Sequence, residues 1–554
     1  MNVSFLSGSL YADMVRNGAA NLNKNRTYVN DLNVFPVPDG DTGDNMYLTI
    51  DSGAHAVKEA DYADLSVVAD AIAKGMLLGA RGNSGVILSR IFAGIAKNLE
   101  GVSEASVEML GKSFVGSIRE AYSAVSKPVE GTILSVYRDA VQFANDNLTG
   151  ESTFDSFFSD FVAELHRSLD RTPELLHVLK EAGVVDSGGA GFVYIAEGMQ
   201  SALAGEKIED ASEKPAAGNE VIDFDAFTED SELTYGYCTE FLLRLQNKKC
   251  DIANFDIDGF TAYLNSVGNS VVSFQEGSIV KVHVHTMNPG EILNYCQQYG
   301  EYLKLKIENM NLQHNEQDVD TPAGKADAPR VKKHKKYGVV TVANGEGLVN
   351  LFKELGADEV VEGGQSMNPS AGSFLAAFKE LNCDDIIVLP NNSNIILTAV
   401  QAASLYEEKP VHIVKTRTLG EGYAVLSMMD TENPDVDAFL EECESSKEGV
   451  VTGMISKATR DTVMDGVQVR EGDYIGFTDD EILVDSSDIH EAALGLAEKA
   501  GAGDYDILLI IRGGSTSTEE AEQLRSELED LYSGTEVILL DGLQPIYDYI
   551  MVLE

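Results

Sequence analysis

The stretch LNVFPVPDGDTGDNM, Leu32 to Met46, sets Asp39, Asp41 and Asp44 among prolines and glycines with neither a helical nor a strand period. Asp39 and Asp41 are separated only by Gly40, so a tight turn can bring both carboxylates to one point. Hard cations such as Mg²⁺ take oxygen ligands of this kind and complete their shell with water and substrate phosphates. A solvated turn uses the same residue types, and the loop by itself leaves both readings open.

A second stretch, LLGARGNSGVILSRIFAG, puts Gly79, Gly82, Asn83, Ser84 and Gly85 directly ahead of an amphipathic helix. Small residues there leave backbone N–H groups free to hold phosphate, with the helix dipole adding to the attraction. Ser84 equally suits a plain N-cap. Neither G-x-x-x-x-G-K-[ST] nor a G-x-G-x-x-G after a strand occurs, so a nucleotide site must be of another type. In KVHVHT, strand alternation places His283 and His285 on one face, and TYGYCTEF supplies Cys238. Two imidazoles and a thiolate suit Zn²⁺ with one position left over. A strand that happens to carry two half-buried histidines is the alternative.

These residues need elements to position them. Up to residue 203 apolar residues recur three and four apart almost throughout, which predicts an all-α domain of about eight helices over 1–203. Two segments rich in Ala, Pro, Gly and charge, 204–221 and 315–336, read as linkers. Between them, 222–314 mixes alternating strands with helices, a small α+β domain. Residues 337–554 repeat strand then helix, an α/β domain of two lobes. There ANGEG, GGQSMNPSAGSF, LPNNSN and RGGSTSTEE fall at strand ends, where open α/β folds place ligands, although Ser515 to Thr518 before Glu519 reads as ordinary helix capping. The basic run VKKHKK, Val331 to Lys336, reads as a solvated linker.

A chain of 554 residues is too long for one core. Its net charge of -49 disfavours nucleic acid and anionic membranes as partners, and the absence of a long apolar run or a leader pattern predicts a cytoplasmic protein. Five scattered cysteines without a CxxC pair predict reduced thiols.

Four stretches, FPVPDGDTGDNM, GARGNSGVILSRIF, KPVEGTILSV and VVDSGGAGF, resemble in order and approximate spacing the DhaL nucleotide-binding domain of dihydroxyacetone kinases. More narrowly, they resemble its branch in the ATP-binding subunit of bacterial fatty acid kinase, whose helical, middle and DegV-related C-terminal domains match the architecture read above. The resemblance implies an antiparallel eight-helix barrel binding ATP at one end with two Mg²⁺ ions. Asp39 and Asp41 would hold metal, Thr42 and Asn45 would orient phosphates, and Gly82, Asn83, Ser84 and Gly85 would contact them. Gly131, Thr132 and Ile133 would border the nucleotide, with Asp186, Ser187 and Gly188 nearby. The third metal-ligand aspartate of dihydroxyacetone kinases falls nearest Asn33, with the spacing altered by one. Either Asn33 serves as a neutral ligand or Asp31 or Asp44 compensates; Asp44 stands where the family often has Thr. Cys238, His283 and His285 match a Cys/His cluster of the fatty acid kinase family, structural or catalytic.

The function so implied is phosphorylation of a fatty acid, presented by a DegV-like binding protein, to acyl phosphate; separately, a homodimer through the middle or C-terminal domain is expected. A dihydroxyacetone-type kinase and a non-enzymatic nucleotide- or lipid-sensing regulator are the alternatives.

Overall fold

The computed structural model describes residues 4–208, 237–309 and 334–554, except 35–36, 38–39, 59–61, 126, 251, 253–254, 277, 287, 365–366, 432 and 480. The N-terminal region is all helix: α1 (Gly8–Asp31), α2 (Thr42–His55), α3 (Leu65–Gly79), α4 (Gly82–Asn98), α5 (Val107–Ser123), α6 (Ile133–Asp146), α7 (Phe154–Leu175), α8 (His177–Ala182) and α9 (Ser187–Leu203). Nine helices are described where about eight were expected, because the run from Phe154 to Ala182 breaks at the extended Leu176 and leaves α8 as a short turn of helix. Several starts are written in the local sequence: Ser7, Asp64, Ser106, Thr132, Thr153 and Asp186 each accept a first-turn N–H.

From α1 to α8 each helix packs on the next, and α9 packs on α7 and returns to α1 to close the ring. Small residues make that closure possible: a Cβ on Gly198 would lie 2.3 Å from the Asn17 carbonyl oxygen. The interior is apolar, with Phe114, Tyr137, Phe157, Phe158, Phe161 and Phe192 meeting mostly edge to face. No helix among the described residues is long and apolar enough to cross a membrane.

The middle region is a compact unit of its own. It is an antiparallel sheet of order β2-β3-β1-β4, built from β1 (Tyr237–Leu245), β2 (Asn269–Glu276), β3 (Ile279–Thr286) and β4 (Gly300–Asn309), with helices α10 (Ile257–Val267) and α11 (Pro289–Gln297). Phe241, Leu243, Val280, Val282 and Val284 fill its core with Phe260, Leu264 and Ile292 from the helices.

The C-terminal region is α/β. A parallel sheet of order β6-β5-β7-β8 uses β5 (Lys335–Ala343), β6 (Glu359–Glu362), β7 (Cys383–Leu389) and β8 (Val411–Ile413). A six-stranded sheet of order β13-β12-β9-β16-β14-β15 follows, from β9 (Val451–Lys457), β12 (Tyr474–Phe477), β13 (Ile482–Ser486), β14 (Ile507–Arg512), β15 (Glu536–Asp541) and β16 (Tyr549–Leu553). Between β9 and β12 lies the hairpin of β10 (Thr462–Met464) and β11 (Val467–Val469), turning on Asp465-Gly466 with both residues at positive φ. The segment expected as linker up to Lys336 already belongs to β5 at Lys335, where Lys335 pairs with Asp358, and His334 Nε2 lies 3.3 Å from Asp384 Oδ1. Ser517 and Glu520 form a capping box on helix Thr518–Leu531, in line with the structural reading of RGGSTSTEE.

The N- and C-terminal regions form one compact unit. Val37, from the acidic loop after α1, is buried as a member of the C-terminal hydrophobic core.

Candidate functional site

The four stretches singled out in the sequence become the N-terminal ends of α2, α4, α6 and α9, and the packing brings those ends together. Ser187 Oγ, at the start of α9, donates to Thr42 Oγ1, at the start of α2, at 3.3 Å. Gly82 opens α4 at φ +58°, and a Cβ there would sit 2.6 Å from Asn45 Nδ2, so both its backbone angle and its neighbour exclude a side chain. A Cβ on Gly188 would lie 3.3 Å from Ile133 Cβ and 3.4 Å from Ser84 Oγ, which joins the starts of α9, α6 and α4.

The helix ends differ in how they are capped. Thr132 caps α6 with Ser135 as its box partner, after Gly131 has turned the chain at φ +84°. Asp186 caps α9 by accepting from Gly189 N–H at 2.6 Å and also accepts from the backbone of Ile133, tying two helix starts to one carboxylate. Burial pushes the Asp186 carboxyl up to about 6, against the pull of those two N–H groups. The start of α2 is held from α1, where Asn30 Oδ1 accepts the N–H of Gly43 at 2.7 Å and of Asp44 at 3.3 Å. By contrast α4 begins after Arg81 with no side-chain cap, and Ser84 is not the N-cap its position in the sequence allowed: it stands in the first turn, beside Asn83. The N-cap residue of α4 thus leaves the first-turn N–H groups to other acceptors, among which a phosphate group is suited.

Asp41 precedes α2, is 8 % exposed and accepts at Oδ2 from Asn368 Nδ2. Asp39 lies outside the described residues. Asp44 faces away from this point, with Oδ2 accepting from Asn30 Nδ2 at 2.5 Å and Oδ1 paired with Arg26 Nε at 3.2 Å. Of the compensating aspartates, Asp44 is therefore engaged in holding α1 to α2. Asn33 packs against the turn, its Cβ 3.4 Å from where a Cβ on Gly40 would be.

Residues from the C-terminal region reach this end of the barrel, and no local pattern in the sequence announced them. Arg460 donates to the carbonyls of Asp31, Asn33 and Val34. Arg81 Nη1 donates to the Asn368 carbonyl at 2.8 Å, and Asn83 Nδ2 to Asn394 Oδ1 at 3.1 Å. Gln401 donates to the Leu77 carbonyl and accepts from Arg90 Nε. Asn368 and Asn394 belong to two of the stretches noted at strand ends, GGQSMNPSAGSF and LPNNSN, yet nothing in either stretch indicated its target. Elsewhere Asn344, Gly363, Asn391 and Asn392 line one cleft with Thr418 and Tyr547.

The donor set at Asp41 suits a hard cation: a carboxylate, hydroxyls, amides and the buried acceptor Asn368 Oδ1, which has no hydrogen-bond partner among the described residues. Among the described residues no group of three His, Cys, Asp or Glu side chains could hold a metal by itself. A cation here would therefore draw further oxygens from a nucleotide.

In the middle unit the antiparallel register sets Cys238 opposite His285 and Glu240 opposite His283. Their alternate neighbours, Thr239, Phe241, Val282 and Val284, are buried, so the backbone alternation assigns the Cys/His positions to the other side of the sheet.

Profiles of three families match the chain: the DAK2 domain over residues 36–201, the FakA-like middle domain of fatty acid kinase over 234–317 and the FakA-like C-terminal domain over 338–554. Protein YloV of Bacillus subtilis is 40% identical over 561 residues, and a Staphylococcus epidermidis protein is 39% identical over 559, each match spanning 100% of both chains. Among solved structures, the fatty-acid-binding protein DegV of Bacillus subtilis aligns with 40% of this chain and 99% of its own at 14% identity and a TM-score of 0.31. The Fak B3 protein of Streptococcus pneumoniae, solved with linoleic acid, aligns with 40% and 99% at 10% identity and a TM-score of 0.29. With all three profiles in order along one chain and relatives matching from end to end, this protein belongs to the FakA-like fatty acid kinase family.

Proposed function

We propose that the chain is the ATP-binding subunit of a two-component fatty acid kinase, transferring the γ-phosphoryl group of ATP to the carboxylate of a fatty acid held by a separate DegV-like protein. The observation that carries this reading is the meeting of four helix starts around the buried Asp41, in a chain of this family. Phosphoryl transfer needs positioning and charge neutralisation more than a protein nucleophile, and a cluster of helix N-termini beside carboxylates supplies both.

Asp41, with Asp39 and Asn33, would hold Mg²⁺, which when bound neutralises phosphate charge in a chain of net charge -49. The first-turn N–H groups of Gly82, Asn83 and Ser84 would donate to phosphate oxygens, with Gly85, whose own N–H donates to the Arg81 carbonyl, bordering them. Thr42, Asn45 and Ser187 would orient them, while Gly131, Thr132, Ile133 and Gly188 shape the nucleotide's border. An oxygen of the acyl carboxylate attacks the γ-phosphorus, the bond from that phosphorus to the β,γ-bridging oxygen breaks, and ADP leaves with the electron pair. The attacking group is already ionised at neutral pH, so the reaction asks for no base from His283 or His285. Those residues with Cys238 are proposed instead as a zinc set.

The test is transfer of label from γ-labelled ATP by the purified chain with Mg²⁺, with fatty acid alone or loaded on a DegV-like protein. Labelled acyl phosphate only with the carrier is expected. Equal product from free fatty acid would remove the carrier from the mechanism, and nucleotide binding without transfer to any carrier would favour a regulatory role.

A further inference from the structure

Asn368 is the residue through which the C-terminal region touches Asp41. Its side chain is 1 % exposed, and its amide is oriented by chemistry as well as by packing: only the Nδ2 end can face a carboxylate oxygen without repulsion. Arg81 grips the same residue by its backbone carbonyl at 2.8 Å, and the following turn is pinned where Ala371 N–H donates to the Ala80 carbonyl at 3.2 Å. Nδ2 is also 3.2 Å from the point where a Cβ on Gly82 would sit, which places the amide at the first turn of α4.

These constraints leave Oδ1 as a fully buried acceptor with no hydrogen-bond partner among the described residues. The two heteroatoms of an amide are about 2.3 Å apart by covalent geometry, so this oxygen lies in the immediate neighbourhood of the Asp41 carboxylate and the start of α4. An unsatisfied buried acceptor costs about 1–3 kcal/mol, and a hydrophobic side chain of similar shape would avoid that cost. Resting on the nucleotide–metal reading of this site, we propose that Asn368 Oδ1 is an oxygen ligand of the divalent cation held at Asp41, so that the C-terminal region completes the metal site of the helical barrel in the same chain. A neutral amide oxygen adds coordination to a site poor in carboxylates without adding charge to an acidic chain. Because the ligand is carried by the C-terminal region, any displacement of that region from the barrel removes it.

The experiment uses the full-length chain with Mn²⁺ in place of Mg²⁺ and ADP as the nucleotide, reading free Mn²⁺ by electron paramagnetic resonance. Asn368→Ala should weaken Mn²⁺ binding by about tenfold or more. Asn368→Cys should shift preference toward the thiophilic Cd²⁺ relative to the wild type, a change that a purely structural role cannot produce. Thermal midpoints of the metal-free variants report folding separately. Mn²⁺ binding by Asn368→Ala equal to the wild type, or Asn368→Cys without a Cd²⁺ preference, overturns the assignment while leaving the site itself standing. Asp41→Ala binding Mn²⁺·ADP as tightly as the wild type would overturn the site as well.

Discussion

The guanidinium of Arg460 donates to the Val34 carbonyl at 2.7 Å, and to those of Asn33 and Asp31 beside it, so a C-terminal residue holds the backbone that leads into the acidic turn. Burial lowers the pKa of this arginine, consistent with a cation placed against carbonyls at the edge of a core. Three hydrogen bonds from one charged group to one loop make it a concentrated link between the two regions.

Removing that link should loosen the turn without unfolding either region. Arg460→Ala is expected to lose about 1 kcal/mol or more of loop docking, which weakens nucleotide binding about fivefold or more by calorimetry. Arg460→Lys should fall between, since an ammonium keeps the charge but cannot fork across three carbonyls. Unchanged affinity in Arg460→Ala would show that the turn holds its shape alone.

Val37 anchors the same loop by burial, at 4 % exposure within the C-terminal core. Val37→Ala removes two buried methyl groups, about 1.6 kcal/mol at about 0.8 each, and should lower the thermal midpoint of the full chain. An unaltered midpoint would place Val37 outside the cooperative core.

Asp41 is expected to be indispensable for transfer and dispensable for folding. Asp41→Asn keeps an oxygen and the size of the side chain but loses the charge, so phosphoryl transfer should drop by about a hundredfold or more. Its far-ultraviolet circular dichroism should match the wild type; retained activity would take Asp41 out of the site.

Asp186 ties stability to pH. Its folded pKa, about 6, lies above its ordinary value of 3.8, so between these values the folded state binds more protons than the unfolded one. This residue's contribution is most favourable at low pH, declines as pH rises toward about 6 and is level above that. Asp186→Asn does not ionise, so its stability relative to the wild type should rise across that interval when urea unfolding is followed at a series of pH values spanning it. A constant difference would mean the carboxyl titrates normally.

The proposed zinc set calls for direct metal analysis. The register opposing Cys238 and His285, with His283 two residues along the same strand, predicts stoichiometric zinc that is lost in Cys238→Ser and in His285→Ala. Zinc-free wild-type protein prepared without chelator would reduce the pattern to two strand histidines.

Much of this molecule could be read from its residues in order. Helix starts are local events: Thr132 and Asp186 cap through side chains reaching two or three residues ahead, and Gly82 carries its own tolerance of positive φ. That is why the four stretches gathered at the site were visible as stretches, and why apolar spacing was enough to identify the helical, mixed and α/β regions. The tertiary structure decided what those local signals could not encode. Asp44 and Asp41 look alike in the sequence, but one is taken up by Arg26 and Asn30 while the other meets Asn368. Val37 could have been an ordinary loop valine, yet it lies in a core assembled from strands hundreds of residues later. Hydrogen bonding and burial at those positions depend on partners hundreds of residues away, brought close only by the packing of one region on another. Chain order alone carries no record of that proximity, because nothing in the local pattern of either partner changes when they meet.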